Sequence, residues 1–525
     1  MDKYALVSVF EKKGISDFAK LLIKSGYKII STGGTYKELT KSGIDVIPVE
    51  EITGNPRESF DGRIKTVSFQ IESGILFDRK NPKHVSEAKK LGVPQIDIVV
   101  CNLYPFEEKP SIETIDVGGP TMIRAAAKNY KNVLVIVDPD DYERIGKLME
   151  KGEVDEILRK GLVGKAFYRL SLYDSQIGNY FSSERFPDEI TIPLRKSQDL
   201  RYGENPHQKG ALYLIPNTNS PLSKLKYLWG RELSGTNIGD IYSGIETVRQ
   251  FKESSACVIK HLSPCGIATG KDAQEALDRA IKADPVSAFG GVMVLNKKMD
   301  VDAAKVIATF KNEKEGNVDV VAVPEIDDDA LELLKKVRKS MGIYTFGSPR
   351  SSPRGEAGAG GAGEIPTQRS EKYDLKYFAG GALLQDFDDN VEDSFKNWKF
   401  VTKEKPTEKQ IEQMKFGFKA VKAVRSNAVL VVDSQQPMTR GIGSGQTSRI
   451  GATKIALEQA GDFTKGGILI SDSFFPFDDS VKLAAEHGIS AILEQGGSIN
   501  DKASIEAANR LGIAMVFSGR RSFRH

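Results

Sequence analysis

Cysteine is scarce, with Cys101, Cys257 and Cys265 the only three in 525 residues. They lack zinc-type spacing, and an odd number makes a poor disulfide framework, so a reducing cytoplasm is the expected setting. Histidine is scarce too. His84, His207, His261, His487 and His525 are the five, and none pairs with another at metal-ligand spacing, which argues against a His-based metal site. It also leaves few side chains for proton transfer near neutral pH. No apolar run approaches the length of a membrane span. The opening MDKYALVSV runs directly into a strand pattern, so no signal peptide is expected. Neither charge dominates: 74 Lys and Arg against 71 Asp and Glu leave a formal +3. That balance gives no reason to propose nucleic acid as the main partner, although the small positive excess helps an anionic small molecule find its site.

The chain is too long for one hydrophobic core, so several domains are expected. Up to residue 190 strand and helix patterns alternate. YALVSV (4–9), YKIIST (27–32), IDVIPV (44–49), IDIVVCNLY (96–104) and NVLVIVD (132–138) read as strands. Ile15, Phe18, Ala19 and Leu22 recur at helical spacing, with Gly26 as a stop. Such alternation predicts a parallel sheet covered by helices. Prolines and turn residues near 185–197 mark a boundary. From 198 onward, short strands and helices follow less regularly, and the sequence leaves open whether two halves of this region are copies of one fold. The run 347–368, GSPRSSPRGEAGAGGAGEIPTQ, cannot bury a core and reads as a mobile loop.

Several segments carry chemistry. STGGT (31–35) brings a strand into Gly33-Gly34 and a helix pattern near Thr35. Glycines let main-chain N–H groups approach an anion at a helix N-terminus; a plain strand-to-helix turn would look the same. ESFDGRIKT (58–66) sets Arg63 and Lys65 on one face of an extended chain, as a phosphate site or as a solvated basic edge. In IDVGGPTMIRAAAKN (115–129), Gly118-Gly119-Pro120 opens a helix whose Thr121, Arg124 and Lys128 share a face. That face suits an anion or bulk water. NLYPF (102–106) sets Asn102 and Tyr104 at another strand end. LRYGENPHQ (200–208), with Arg201, Tyr202, Asn205 and Gln208, is too polar for a packing role. VIKHLSPCG (258–266) places Lys260 and His261 after the apolar run ACVI, with Pro264 and Gly266 read as turning the chain. VRSNAV (424–429), IGSGQTSR (442–449), SDSFFPFDD (471–479) and the final SGRRSFRH complete the set.

Together with DPVSAFGG, these motifs resemble, in order and across nearly the whole chain, the bifunctional purine biosynthesis family that joins AICAR transformylase to IMP cyclohydrolase. The resemblance implies an α/β fold. Residues 1–190 would form a methylglyoxal-synthase-like cyclohydrolase domain with a parallel sheet. Residues 198–525 would form a transformylase region of two cytidine-deaminase-like α/β subdomains lacking the deaminase zinc. It implies a homodimer with the transformylase site at the interface, small-molecule substrates (AICAR, formyl-AICAR and folate), 10-formyltetrahydrofolate as co-substrate and no catalytic metal, and it allows a structural potassium ion.

It also implies roles. Lys260, His261 and Asn427 would carry formyl transfer, with Arg201, Tyr202, Asn237, Phe289, Gly290, Phe477, Asp479 and Arg521 around the nucleotide and folate. Lys65, Tyr104, Asp116 and Lys128 would carry ring closure. Ser8, Lys12, Ser31, Thr32, Gly33, Gly34, Thr35, Arg63, Thr66, Asn102 and Gly118 would bind that substrate, its phosphate above all. The chain departs from the pattern in places. Family members read KTLHP followed by IHGG; here stand KTVSF (65–69) and IESG (71–74). The usual SVSDK is SVFEK (8–12), and Phe10 either narrows the phosphate end or points away from it. The alternative reading is a transformylase whose first domain is a non-catalytic nucleotide sensor.

Overall fold

The computed structural model describes residues 2–56, 60, 63–218, 220–310, 317–347, 373–388 and 391–525. Apart from Gly347, the glycine-rich run 347–368 therefore lies outside the described residues. The chain divides into two compact units. One holds residues 1–195 with the short stretch 215–217, and the other holds most of the rest.

The first unit contains β1 (Lys3–Val9), α1 (Ile15–Lys24), β2 (Lys28–Ser31), α2 (Gly33–Lys41), β3 (Val46–Pro48), α3 (Val49–Thr53), α4 (Phe69–Leu76), α5 (Pro82–Lys90), β4 (Gln95–Asn102), α6 (Gly118–Lys128), β5 (Leu134–Ile136), α7 (Tyr142–Lys151) and α8 (Glu156–Phe181). Its five strands form one parallel sheet in the order β3-β2-β1-β4-β5. Central strands covered on both faces need apolar residues on both, and Ala5, Leu6, Val7, Val99 and Val100 are fully buried. Helix α1 buries Ile15, Phe18, Ala19 and Leu22, the stripe read from the sequence. Gly26 then takes φ 87°, which an L side chain resists. Helix α2 begins at Gly33, slightly before the expected Thr35.

The second unit opens with paired strands β6 (Arg195–Leu200) and β7 (Gly210–Leu214). Next come β8 (Lys226–Trp229), α9 (Gly235–Val248), β9 (Ser254–Lys260), β10 (Ser263–Gly270), α10 (Ala273–Ala283), β11 (Gly291–Leu295), α11 (Val301–Thr309), β12 (Val318–Val323), α12 (Asp328–Val337) and β13 (Gly342–Thr345). After the hairpin β14 (Tyr373–Phe378) and β15 (Gly381–Asp386) come β16 (Lys399–Phe400), α13 (Glu408–Val421), β17 (Val429–Val432), β18 (Thr439–Gly443), α14 (Arg449–Ala460), β19 (Ile468–Ser471), α15 (Asp479–Glu486), β20 (Ala491–Glu494), α16 (Asp501–Leu511) and β21 (Ala514–Phe517).

These form two six-stranded mixed sheets, ordered β10-β9-β11-β12-β13-β8 and β18-β17-β19-β20-β21-β16. The two orders are one pattern used twice, with matching parallel and antiparallel pairs. The irregularity seen in the sequence thus hides a topological repeat. The packing repeats too. A Cβ at Gly244 on α9 would meet Val294 and Ile259, and one at Gly417 on α13 would meet Ile470 and Val432, the equivalent strands of each copy. Helices α9 and α13 and the inner faces of both sheets share one core, which includes Ile241, Ile259, Val294, Phe418, Leu430 and Ile470. Helices α10–α12 and α14–α16 cover the outer faces. The sheets touch at edges β10 and β18, where the Thr269 N–H donates to the Pro437 carbonyl at 2.9 Å and the Ile267 N–H to Thr439 Oγ1 at 3.1 Å. No helix among the described residues is long and apolar enough to cross a membrane.

Candidate active site

In the first unit the strand order reverses between β1 and β4, and in parallel sheets of this kind ligands bind outside the carboxyl ends at such a point. Ser8, Lys12, Ser31, Thr32, Thr35 and Asn102 lie there. Ser8 Oγ lies 2.9 Å from Thr32 Oγ1. Thr35 Oγ1 donates to the Val9 carbonyl at 2.9 Å and accepts the Val9 N–H at 3.0 Å. Ser31 Oγ donates to the Val7 carbonyl at 2.7 Å. The hydroxyls of Ser31 and Thr35 therefore tie β2 and α2 to β1, and what they leave open at the start of α2 is main-chain N–H. Asn102 clasps the loop after β1: its Oδ1 accepts the N–H of Phe10 at 2.6 Å and of Glu11 at 2.9 Å. The Lys12 ammonium donates to the carbonyls of Val9 and Phe10, and burial lowers its pKa despite Glu38 nearby.

A second group meets the start of α6. Asp116 Oδ1 accepts the Gly119 N–H at 2.9 Å. Burial raises the Asp116 pKa, while the N–H groups of Gly119 and Gly118 and the charge of Lys65 oppose the rise. A Cβ on Gly118 would sit 2.4 Å from Thr66 Oγ1, and one on Gly119 2.3 Å from Asp116 Oδ2. The glycine pair is therefore what lets the first turn of α6 close on Thr66 and Asp116. Tyr104 is half-buried, its ring edge-to-face with Phe10 at 4.5 Å between centroids. Phe10 thus turns toward the residue expected to assist ring closure.

Other expectations come out differently. The segment from Arg63 to Thr66 is not a strand; Arg63 is exposed and paired with Glu113, and Glu58, Ser59, Asp61 and Gly62 lie outside the described residues. Nor is the Thr121–Arg124–Lys128 face a single anion surface. Thr121 Oγ1 bonds back to the Val117 carbonyl at 2.8 Å, and Arg124 pairs with Asp174 of α8 at 2.5 Å. Lys128 closes α6, about 15 Å along the axis from Gly118, and is exposed.

In the second unit the turn is where the sequence was misread. Strand β10 starts at Ser263, which pairs with Lys260, so the chain reverses at His261-Leu262. Pro264 and Gly266 lie within β10, where the register shifts. Proline is tolerated there because β10 is an edge strand. A two-residue hairpin with both central residues at positive φ normally uses Asn-Gly or Asp-Gly. Here His261 has φ 55° and Leu262 φ 64°, a conformation costing about 1–2 kcal/mol for each L residue. Helix α9 holds it: Asp240 Oδ1 accepts the Leu262 N–H at 2.7 Å, and Ser243 Oγ donates to the Leu262 carbonyl at 3.2 Å. Burial raises the Asp240 pKa, while the Leu262 N–H, the His261 charge and the His261 N–H oppose it. Lys260 Nζ donates to the Phe289 carbonyl at 2.9 Å, next to Gly290, whose φ is 73°. His261 itself is exposed.

Asn427 sits in an equally tied loop. Its Nδ2 donates to the Gln446 carbonyl at 2.8 Å. Beside it, Ser426 Oγ donates to Asp472 Oδ2, which also accepts the Ala428 N–H at 3.0 Å. Asp472 pairs with buried Arg449. Asn237 is buried, and its Oδ1 accepts from the Ser234 N–H and hydroxyl in the capping box of α9. Arg201 bonds the Tyr202 hydroxyl at 2.9 Å and covers its ring. Arg521 lies over Phe523 at 4.5 Å. Phe477 is exposed, and Asp479 begins α15. Among the described residues, no group of three or more His, Cys, Asp or Glu side chains gathers as metal ligands. Asp240, Ser243, Arg449, Asp472 and Arg524 escaped the sequence reading. Arg449, Asp472 and Arg524 lay inside quoted motifs, whereas Asp240 and Ser243 offered no signal beyond polar residues on a helix.

The chain matches the family described as AICARFT/IMPCHase bienzyme over residues 126–459, and the MGS-like domain over residues 14–132. The bifunctional purine biosynthesis protein PurH of Clostridium botulinum (strain Kyoto / Type A2) is 42% identical over 534 residues, covering 100% of both chains. The PurH of Thermoanaerobacter sp. (strain X514) is 42% identical over 539 residues, again covering 100% of both.

Proposed function

The chain belongs to the AICARFT/IMPCHase bienzyme family, and from that premise we propose how its residues divide the work. The protein is a bifunctional enzyme of purine biosynthesis, an AICAR transformylase and an IMP cyclohydrolase. Residues 1–190 carry ring closure and residues 198–525 formyl transfer from 10-formyltetrahydrofolate. The enzyme works in the cytoplasm as a homodimer, with no step assigned to a metal ion.

In formyl transfer, the 5-amino group of AICAR attacks the formyl carbon. Its lone pair is delocalised into the ring, so it must lose a proton as the bond forms. The imidazole of His261 accepts that proton. The tetrahedral intermediate carries an oxyanion, which Lys260 stabilises with ammonium donors beyond the one given to Phe289. Asn427 lies near the formyl group. The departing folate nitrogen takes up a proton as the C–N bond breaks. Arg201, Tyr202 and Arg521 hold the nucleotide, and Phe289, Gly290, Phe477 and Asp479 line its pocket and the folate's.

In ring closure, the carboxamide nitrogen attacks the formyl carbon and water is expelled. Lys65, Tyr104 and Asp116 polarise the formyl oxygen and move protons, and Lys128, at the far end of α6, is assigned to the same reaction on the family resemblance. The main-chain N–H groups of Gly33, Gly34 and Thr35, with Lys12 and Arg63, hold the phosphate. Orientation alone supplies several kcal/mol of barrier lowering.

The observation that best supports this division is the His261-Leu262 turn, a strained conformation held by two buried side chains of α9. Such strain clusters at functional sites. His261→Ala is expected to abolish folate-dependent loss of AICAR while leaving conversion of formyl-AICAR to IMP intact. Lys128→Ala is expected to do the reverse. One substitution removing both activities in a folded protein would contradict the division.

A further inference from the structure

We propose that Arg524 is a positioning residue for formyl transfer, clamping the His261 turn and the Asn427 loop into one hydrogen-bonded frame. The inference rests on the roles given above to His261 and Asn427.

The guanidinium of Arg524 reaches both sides. Its Nη2 donates to Ser243 Oγ at 3.1 Å, and its Nη1 to the Ala423 carbonyl at 2.8 Å. Ser243 has one hydroxyl proton, which goes to the Leu262 carbonyl at 3.2 Å. The Arg524 N–H occupies a lone pair of that oxygen and so orients the proton toward the turn. It also polarises the hydroxyl, and chained hydrogen bonds strengthen one another. On the other side, the main chain of residue 524 pairs both ways with Ser426. The Ser426 N–H donates to the Arg524 carbonyl at 3.0 Å, and the Arg524 N–H to Ser426 Oγ at 3.4 Å. Asn427 follows directly, its own N–H bonded to the Gln446 carbonyl at 3.1 Å.

The need for such a clamp is local. His261 and Leu262 both sit at positive φ, so the turn relaxes unless its carbonyl and N–H are held. Asp240 holds the N–H. The carbonyl is held by Ser243, whose orientation depends on Arg524. A relaxed turn moves the imidazole off line, and a displacement of about 1 Å at a reacting group lowers the rate on the order of 10²-fold. Arg524 also lines a cleft of about 170 Å³, together with Tyr242, Glu246, Asp374, Lys422 and Phe523. The cleft offers a path for a small cation to replace a missing guanidinium.

The test uses the full-length protein with Arg524→Met, Arg524→Lys and Ser243→Ala. Arg524→Met is expected to lower kcat for formyl transfer about 10²-fold, with KM for AICAR and folate little changed and formation of IMP from formyl-AICAR unaffected. Added guanidinium ion should recover part of that kcat, whereas it should do nothing for His261→Ala. Arg524→Lys, keeping the charge with one arm, should fall between. Ser243→Ala removes the relay alone and should reproduce the loss without rescue; it also decides the matter if Arg524→Met does not fold. Unchanged kcat in a folded Arg524→Met or Ser243→Ala protein, alongside an inactive His261→Ala, would overturn the proposal by itself. An active His261→Ala would instead remove the assignment beneath it.

Discussion

Phe10 and Glu494 are single side chains whose surroundings decide their behaviour. Phe10 meets Tyr104 edge-to-face at 4.5 Å. Such pairs contribute about 0.5–1.5 kcal/mol. Phe10→Ser should therefore loosen Tyr104 and lower kcat/KM for ring closure roughly two- to tenfold, read as IMP formed from formyl-AICAR. A faster variant would show that the ring obstructs the pocket instead. Glu494 ends β20, almost fully buried, with Oε2 accepting the Phe475 N–H at 2.5 Å. Burial pushes its pKa from 4.5 up to about 8, with the Phe475 N–H opposing. The folded state then keeps a proton that the unfolded chain has released. Stability from this group is full below about pH 4.5 and falls as pH rises toward about 8, by on the order of 4 kcal/mol. Glu494→Gln should flatten that slope, measured as the urea midpoint from pH 5 to 8. Sequence shows Glu494 after an apolar run, but not the Phe475 N–H that meets its carboxyl from 19 residues away.

At the level of elements, the repeated copies make a matched pair of tests. Gly244→Ala would bring a Cβ to 2.4 Å from Val294 Cγ2, and Gly417→Ala to 2.5 Å from Ile470 Cγ1. Each should destabilise the second unit by about 1–3 kcal/mol, seen as a lower denaturation midpoint. A neutral result at both positions would mean that α9 and α13 do not press on their sheets as described. The strands of the first unit were legible because buried parallel strands announce themselves as apolar runs. The β9–β10 reversal was not. Proline and glycine are the usual signs of a turn, yet here they occupy an edge strand with an irregular register. The turn itself uses His261-Leu262, a pair that local propensity would never choose. The start of α6 was legible from Gly118-Gly119-Pro120. The direction of its polar face was not, since Arg124 turns to Asp174 on α8.

Across the whole molecule, the first unit carries its own core, built on β1, β4 and β5 with α1 and α6. A fragment of residues 1–195 should therefore fold and convert formyl-AICAR to IMP above the uncatalysed rate. No conversion by a folded fragment would favour a sensing role for this unit. The sequence by itself determined the parallel sheet, the order of the motifs and the family. Those rest on runs and spacings within a few residues, where periodicity and turn chemistry act. Only the tertiary structure decided that one sheet pattern is used twice, that α9 holds the His261 turn, and that Arg524 bonds Ser243 from 281 residues away. Such contacts leave no local trace, because a hydrogen bond depends on where the folded chain brings its two partners, not on the residues beside either one.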